Sequence, residues 1–226
     1  MARSFFSAID NLSLQDIESE ADLIPLMTTE DEEALESESL PEVVPILPLR
    51  NTVLFPGVVI PITAGRDKSI KLIKDANASD KIIGVVAQQN EGVENPGPQD
   101  IYPLGTVAQI LRVLKMPDGN TTIIIQGKKR FKVKSIVEEK PYMKAAVEPV
   151  EDQFQKKSDK EFTATIDSIK DLALQIIDEN PNIPSEASFA IKNIQTPSFL
   201  INFVASNMNV KVGQKQKILS ELSLHQ

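Results

Sequence analysis

Residues 47–69 read LPLRNTVLFPGVVIPITAGRDKS. The stretch is apolar enough for a folded core, yet Pro48, Pro56 and Pro61 interrupt it, and Pro45 lies just upstream. Proline has no N–H for a ladder hydrogen bond, so it is confined to edge strands, strand starts and bends. The stretch therefore predicts strands at the edge or bend of a curled sheet, not in the middle of a flat one. Phe55-Pro56-Gly57 marks a tight turn between VVPILPL and VVIPITA, and Gly57 permits a conformation that a Cβ would strain.

Working outward, RDKSIKLIKDANA sets Ile70, Ile73 and Ala76 on one face and Lys71 and Lys74 off it, which predicts one amphipathic helix. KIIGVVAQQ is a buried-strand pattern. NEGVENPGPQDIYPLG, rich in Gly, Pro and acids, reads as an exposed loop. GTVAQILRVLKM and TTIIIQG flank Pro117-Asp118-Gly119-Asn120, a hairpin signal. RFKVKSIV alternates apolar and basic residues, as a strand with one wet face does, and YMKAAVEPV closes the set. Residues 41–153 thus predict a curled, partly open β barrel with one helix.

Residues 154–226 change period. Phe162, Ile166, Ile169, Ala173 and Ile176 form a helical stripe, opened by a capping-box match at Ser158 and Glu161 and stopped near Asn180-Pro181. Thr196 and Pro197 read as N-cap and first residue of a second helix, with Leu200, Phe203 and Val204 inward. VGQKQKILSELSLHQ predicts a last helix carrying Ile218, Leu219 and Leu222, and the sequence ends while that pattern continues. The fold class is α+β, a twisted β pseudo-barrel followed by a helical bundle.

Residues 1–40 form an acidic extension. They hold eleven acids and one base, Arg3, whereas all 226 residues together carry −8, so residues 41–226 sum to about +2 by difference. The TTEDEEALESES run favours disorder. In FFSAIDNLSLQDI a frayed tail is the preferred reading over a short partner-binding helix. The near-neutral body gives no global footprint for nucleic acid or an anionic membrane. No signal peptide or membrane span is expected, and a cytoplasmic location follows.

The motif search excludes more than it finds. With no cysteine and one histidine, His225, the protein has no thiolate zinc site, no disulfide and no Ser-His-Asp system. It contains neither G-x-x-x-x-G-K-[ST] nor G-x-G-x-x-G. No catalytic, metal-ligating or cofactor-binding residue is therefore expected, and Asp31-Glu32-Glu33 reads as solvated. One binding signal remains: GKKRFKVKS. There Lys128, Lys129, Arg130, Lys132 and Lys134 surround Phe131, as in a barrel strand that tracks a phosphate backbone and stacks an aromatic on a base. The competing reading puts Phe131 and Val133 in the core and leaves the lysines to keep the outer face soluble. The small net charge of the body favours the second.

PILPLRNTVLFPGVVIPITAGRDKSI closely resembles the opening of the N-terminal domain of the ATP-dependent Lon proteases. The likeness continues through VAQQN, GTVAQI, LKMPDGN and QGKKRFKV into FVASNMNVKVGQKQKILSELSLHQ, so it covers about residues 41–226. The resemblance implies a non-catalytic piece of a larger enzyme that selects unfolded or tagged proteins and supports a hexamer. The ATPase motifs, ATP, Mg and a Ser–Lys proteolytic site would lie downstream. It also implies that Leu49, Arg50, Pro56, Gly57, Pro61, Gly65 and Arg66 form the signature of a first hairpin and helix entry, mainly architectural. Arg50 and Arg66 are read as pairing with carboxylates or capping carbonyls, ahead of touching substrate. The expected binding surface is a shallow apolar groove or a free strand edge. The alternatives are a DNA- or RNA-binding small barrel and a stand-alone hydrolase.

Overall fold

The computed structural model describes residues 39–116, 119–150, 160–179 and 186–221. The described elements are β1 (Val43–Leu49), β2 (Val59–Ala64), α1 (Asp67–Asn77), β3 (Ile82–Ala87), β4 (Leu104–Lys115), β5 (Thr121–Glu138), β6 (Lys144–Pro149), α2 (Lys160–Glu179), α3 (Glu186–Asn193), α4 (Pro197–Asn207) and α5 (Val212–Ser220). The strands run in the order β2-β5-β4-β3-β1-β6, and β6 returns to pair with β5. Five strands thus close a ring, and β2 stays outside it as a flap on the first half of β5.

The prolines fit this ring position by position. In β1 the Leu49 carbonyl accepts from Gln88 N–H on the β3 side, while Ile46 N–H donates to Met143 O on the β6 side. Backbone groups alternate sides along a strand. Pro45 therefore faces β3 before that pairing begins at Ile46, and Pro48 faces β6 after that pairing has ended at Pro45. In β2 the Val58 carbonyl accepts from Gly127 N–H. By alternation, Pro61, opposite Ile124, turns its missing donor away from β5 to the open edge. None of the three removes a ladder bond.

Two cores hold the fold. The smaller draws on every strand of the ring, with Val44 and Ile46 of β1, Val86, Val107, Phe131 and Val147 packed together. Gly84 and Gly105 leave the room that Phe131 fills: a Cβ on either would stand 3.1 Å from Phe131 Cζ. The larger core joins the other face of the strands to Leu72, Ile73 and Ala76 of α1. It continues into Ala173, Ile177, Ile191, Phe199, Leu200 and Phe203 of the helices.

Several expectations change. β1 and β2 are not a hairpin: β1 lies between β3 and β6, and β2 pairs with β5. The turn between them is real, with Gly57 at φ 77. TTIIIQG and RFKVKSIV are one 18-residue strand, β5, bent by register shifts against β4 and β6. On α2 the inward stripe ends on Ile177, while Ile176 points outward. Ile70 of α1 is half-buried and Leu72 takes the buried place beside Ile73. Thr196 precedes α4 in extended conformation, but its hydroxyl makes no capping bond, so Pro197 at the first position carries the start. α5 ends at Ser220. Ser158, Asn180-Pro181, Leu222 and nearly all of the acidic extension lie outside the described residues.

Candidate functional site

A cavity of about 610 Å3 opens beside the edge of β2. Its walls are residues 47–52 from the end of β1 and the turn after it, residues 60–66 from β2 to the residue before α1, Ser69, and Ser206 and Lys215 from the helices. Five of the seven signature residues meet here: Leu49, Arg50, Pro61, Gly65 and Arg66. Local folding explains why. Pro61 marks the unpaired edge, and Gly65-Arg66 carries the backbone from that edge into the first turn of α1. Leu49-Arg50 is where β1 leaves the ring. Pro56 and Gly57 sit elsewhere: Gly57 N–H donates to Gly127 O. A Cβ on Gly127 would lie 2.2 Å from Phe55 O, so this turn is architectural.

Arg66 is held in place. Its Nη2 donates to Gln88 Oε1 at 2.7 Å and to Val93 O at 3.5 Å. The buried Gln88 in turn donates from Nε2 to Val93 O at 2.9 Å and Asn90 O at 3.2 Å. One side chain thus ties the end of β3, the following loop and Arg66 together. Burial, and after it the charge of Arg50, draw the Arg66 pKa below its ordinary value, with Glu94 opposing. Arg50 is exposed. Lys215 is only 6% exposed, and its ammonium donates to the Ser206 carbonyl near the C-terminus of α4. Burial pushes its pKa down. A smaller cavity of about 220 Å3 shares Pro48, Arg66 and Ser69 with the larger one.

Residue patterns alone did not single out Lys215 or Gln88. A signal for Lys215 existed: Val212, Lys215, Gln216 and Leu219 of α5 are buried at helical spacing, which places a lysine on an inward face.

The basic strand does not form a stacking platform. Phe131 is 0% exposed in the ring core and cannot reach a base. Arg130 is also buried: Nε donates to Leu219 O at 3.0 Å and Nη2 to Asn202 Oδ1 at 3.1 Å. Lys128 and Lys129 are half-buried, and Lys134 pairs with Glu148 at 3.6 Å. The reading in which this strand grips a nucleic acid through Arg130 and Phe131 is therefore corrected. Among the described residues, no cluster of three or more His, Cys, Asp or Glu is arranged to hold a metal, and no helix is long and apolar enough to cross a membrane.

Residues 43–226 match the family described as the ATP-dependent protease La (LON) substrate-binding domain. The chain belongs to this Lon family. It is 66% identical over 212 residues to the Lon protease of Flavobacterium johnsoniae, a match covering 94% of this chain and 26% of that protein. The Lon protease of Cytophaga hutchinsonii is 51% identical over 198 residues, covering 88% and 24%. The chain spans about a quarter of the length of the curated relatives it matches. Its fold is similar to the N-terminal domain of Mycobacterium avium complex Lon protease, with TM-score 0.63 at 22% identity over 80% of this chain and 90% of that one. A Lon N-terminal domain protein from Xanthomonas campestris gives TM-score 0.56 at 17% identity.

Proposed function

We propose that this Lon domain binds polypeptide substrates at the cleft between β2, the start of α1 and α5, and performs no bond-breaking chemistry itself. The observation that carries this reading is the match to a Lon substrate-binding domain over residues 43–226. The cleft supports it: five of the seven signature residues gather there among aliphatic walls, beside the outer edge of β2, the end strand among the described strands. ATP, Mg and the proteolytic site would belong to the longer cytoplasmic protein, in which six copies stand together. A shallow site of this kind binds weakly alone, and several copies on one unfolded polypeptide raise the effective affinity.

Crosslinking tests the reading. A photoreactive group at Thr63, exposed on the cleft wall, should label a denatured protein strongly and its native form weakly. Equal labelling of the two would remove recognition of unfolded polypeptides from the account.

A further inference from the structure

The cleft has a charge pattern that recognition of apolar, unfolded polypeptide does not require. Arg50, Arg66 and Lys215 line it, and among the described residues no aspartate or glutamate does. Among the described residues Arg50 makes no hydrogen bond or ion pair. Arg66 spends one guanidinium nitrogen on two neutral acceptors. The Lys215 ammonium is held by a neutral carbonyl. Three positive charges thus share one concavity whose walls, among the described residues, offer only neutral partners, and Glu94, outside those walls, acts on Arg66; partial burial makes such incompletely compensated charge costly. The field is local, since the net charge of the whole protein is −8.

The remaining walls narrow the class of anion. Leu47, Leu49, Ile60 and Ile62 are aliphatic, and among the described residues no aromatic side chain lines the cleft. A nucleotide would find no ring to stack on, whereas aliphatic walls suit the hydrocarbon of an amino acid. Two guanidinium forks match the two oxygens of a carboxylate. The outward-facing Pro61 interrupts the β2 edge, so a bound peptide is not seated there as a regular added strand and must be anchored otherwise.

Resting on the substrate-binding reading above, we propose that this cleft anchors a carboxylate of the bound polypeptide, with Arg50 and Arg66 on its oxygens, Lys215 supplying the third charge, and aliphatic walls taking the adjoining side chain. The carboxylate has two sources, the C-terminus of a polypeptide or an acidic side chain.

The test is fluorescence anisotropy of the full 226-residue protein with three versions of one labelled aliphatic peptide: free C-terminal acid, C-terminal amide, and C-terminal amide with one internal Glu. The acid peptide is expected to bind about tenfold tighter than the plain amide, the scale of one charge-assisted contact. Recovery by the Glu peptide assigns the site to side-chain carboxylates as well, and no recovery assigns it to polypeptide ends. Arg50→Gln, at an exposed position, should keep the melting temperature and erase the acid–amide difference. Equal binding of all three peptides overturns the carboxylate anchor and leaves the substrate-binding reading standing. Failure of every peptide to bind overturns both. Displacement by inorganic phosphate at concentrations where acetate has no effect overturns the carboxylate assignment in favour of phosphate.

Discussion

At the scale of single residues, the same chemical fact has different consequences in different places. A proline is tolerated in β1 because its missing N–H faces a side where no strand pairs at that position, and in β2 because it faces an open edge. Glycine behaves in the opposite sense: Gly105 lies where two backbones close in, and a Cβ there would lie 2.3 Å from Val85 O. Gly105→Ala is expected to destabilise by ~1–3 kcal/mol through overpacking, seen as a lower urea midpoint at unchanged slope. An unshifted midpoint would mean that the β3–β4 contact is looser than described. Phe131→Ala should cost about 3–5 kcal/mol, because the ring fills a space bounded by Gly84 and Gly105. A surface stacking residue would show almost no stability loss on the same change, so one melt separates the two roles. Sequence read all seven signature residues, Pro56 and Gly57 among them, as mainly architectural. It could not show that the other five converge, because residues 49–50 end a strand that pairs with β3 and β6, whereas residues 61–66 belong to a strand that pairs with β5 and to the helix entry that follows it.

Among the elements, β5 best shows what a one-dimensional pattern hides. Its first part, between β2 and β4, is continuously buried, and its last part alternates. The change of period at Gly127–Arg130 reads as a break between two strands. In three dimensions it marks where one strand stops being covered on both sides, bends, and turns to pair with β6. The helices were legible from their stripes, which also feed the larger core; the polar contacts that help attach them were not, since these have no periodicity. Arg130 reaches from β5 to Leu219 O on α5 and Asn202 Oδ1 on α4, and Gln216 Nε2 donates to Leu104 O of β4 at 2.9 Å. Arg130→Ala leaves two buried acceptors without that donor, a loss of roughly 1.5–3 kcal/mol for charge-assisted bonds. Amides of α4 and α5 are then expected to exchange hydrogen at least about tenfold faster, while those of β3 and β4 hold their rates. Uniform acceleration throughout the protein would show that barrel and helices open as one unit.

In the molecule as a whole, the cleft belongs to neither half alone. The barrel supplies Arg50, Arg66 and the aliphatic walls, and the docked helices supply Lys215 and Ser206. Docking therefore carries a lysine into a nearly dry position, where burial lowers its pKa. The sign of the consequence follows from proton binding. In the unfolded state Lys215 keeps its proton to about pH 10.4; in the folded state it releases the proton earlier. Between the lowered value and the ordinary one the unfolded state binds more protons, so this residue's penalty on stability fades as pH rises through that window. At neutral pH the penalty is present in full, which is the cost of keeping a third positive charge facing the cleft. Lys215→Met keeps the bulk and removes the charge. Urea melts of both proteins at about pH 7 and about pH 10 should show the wild type gaining stability relative to Lys215→Met as pH rises. Every other titrating group, Tyr142 included, is common to both proteins and cancels in the difference. A difference independent of pH would mean that Lys215 keeps its ordinary pKa when folded, and that the seam between barrel and helices admits water freely.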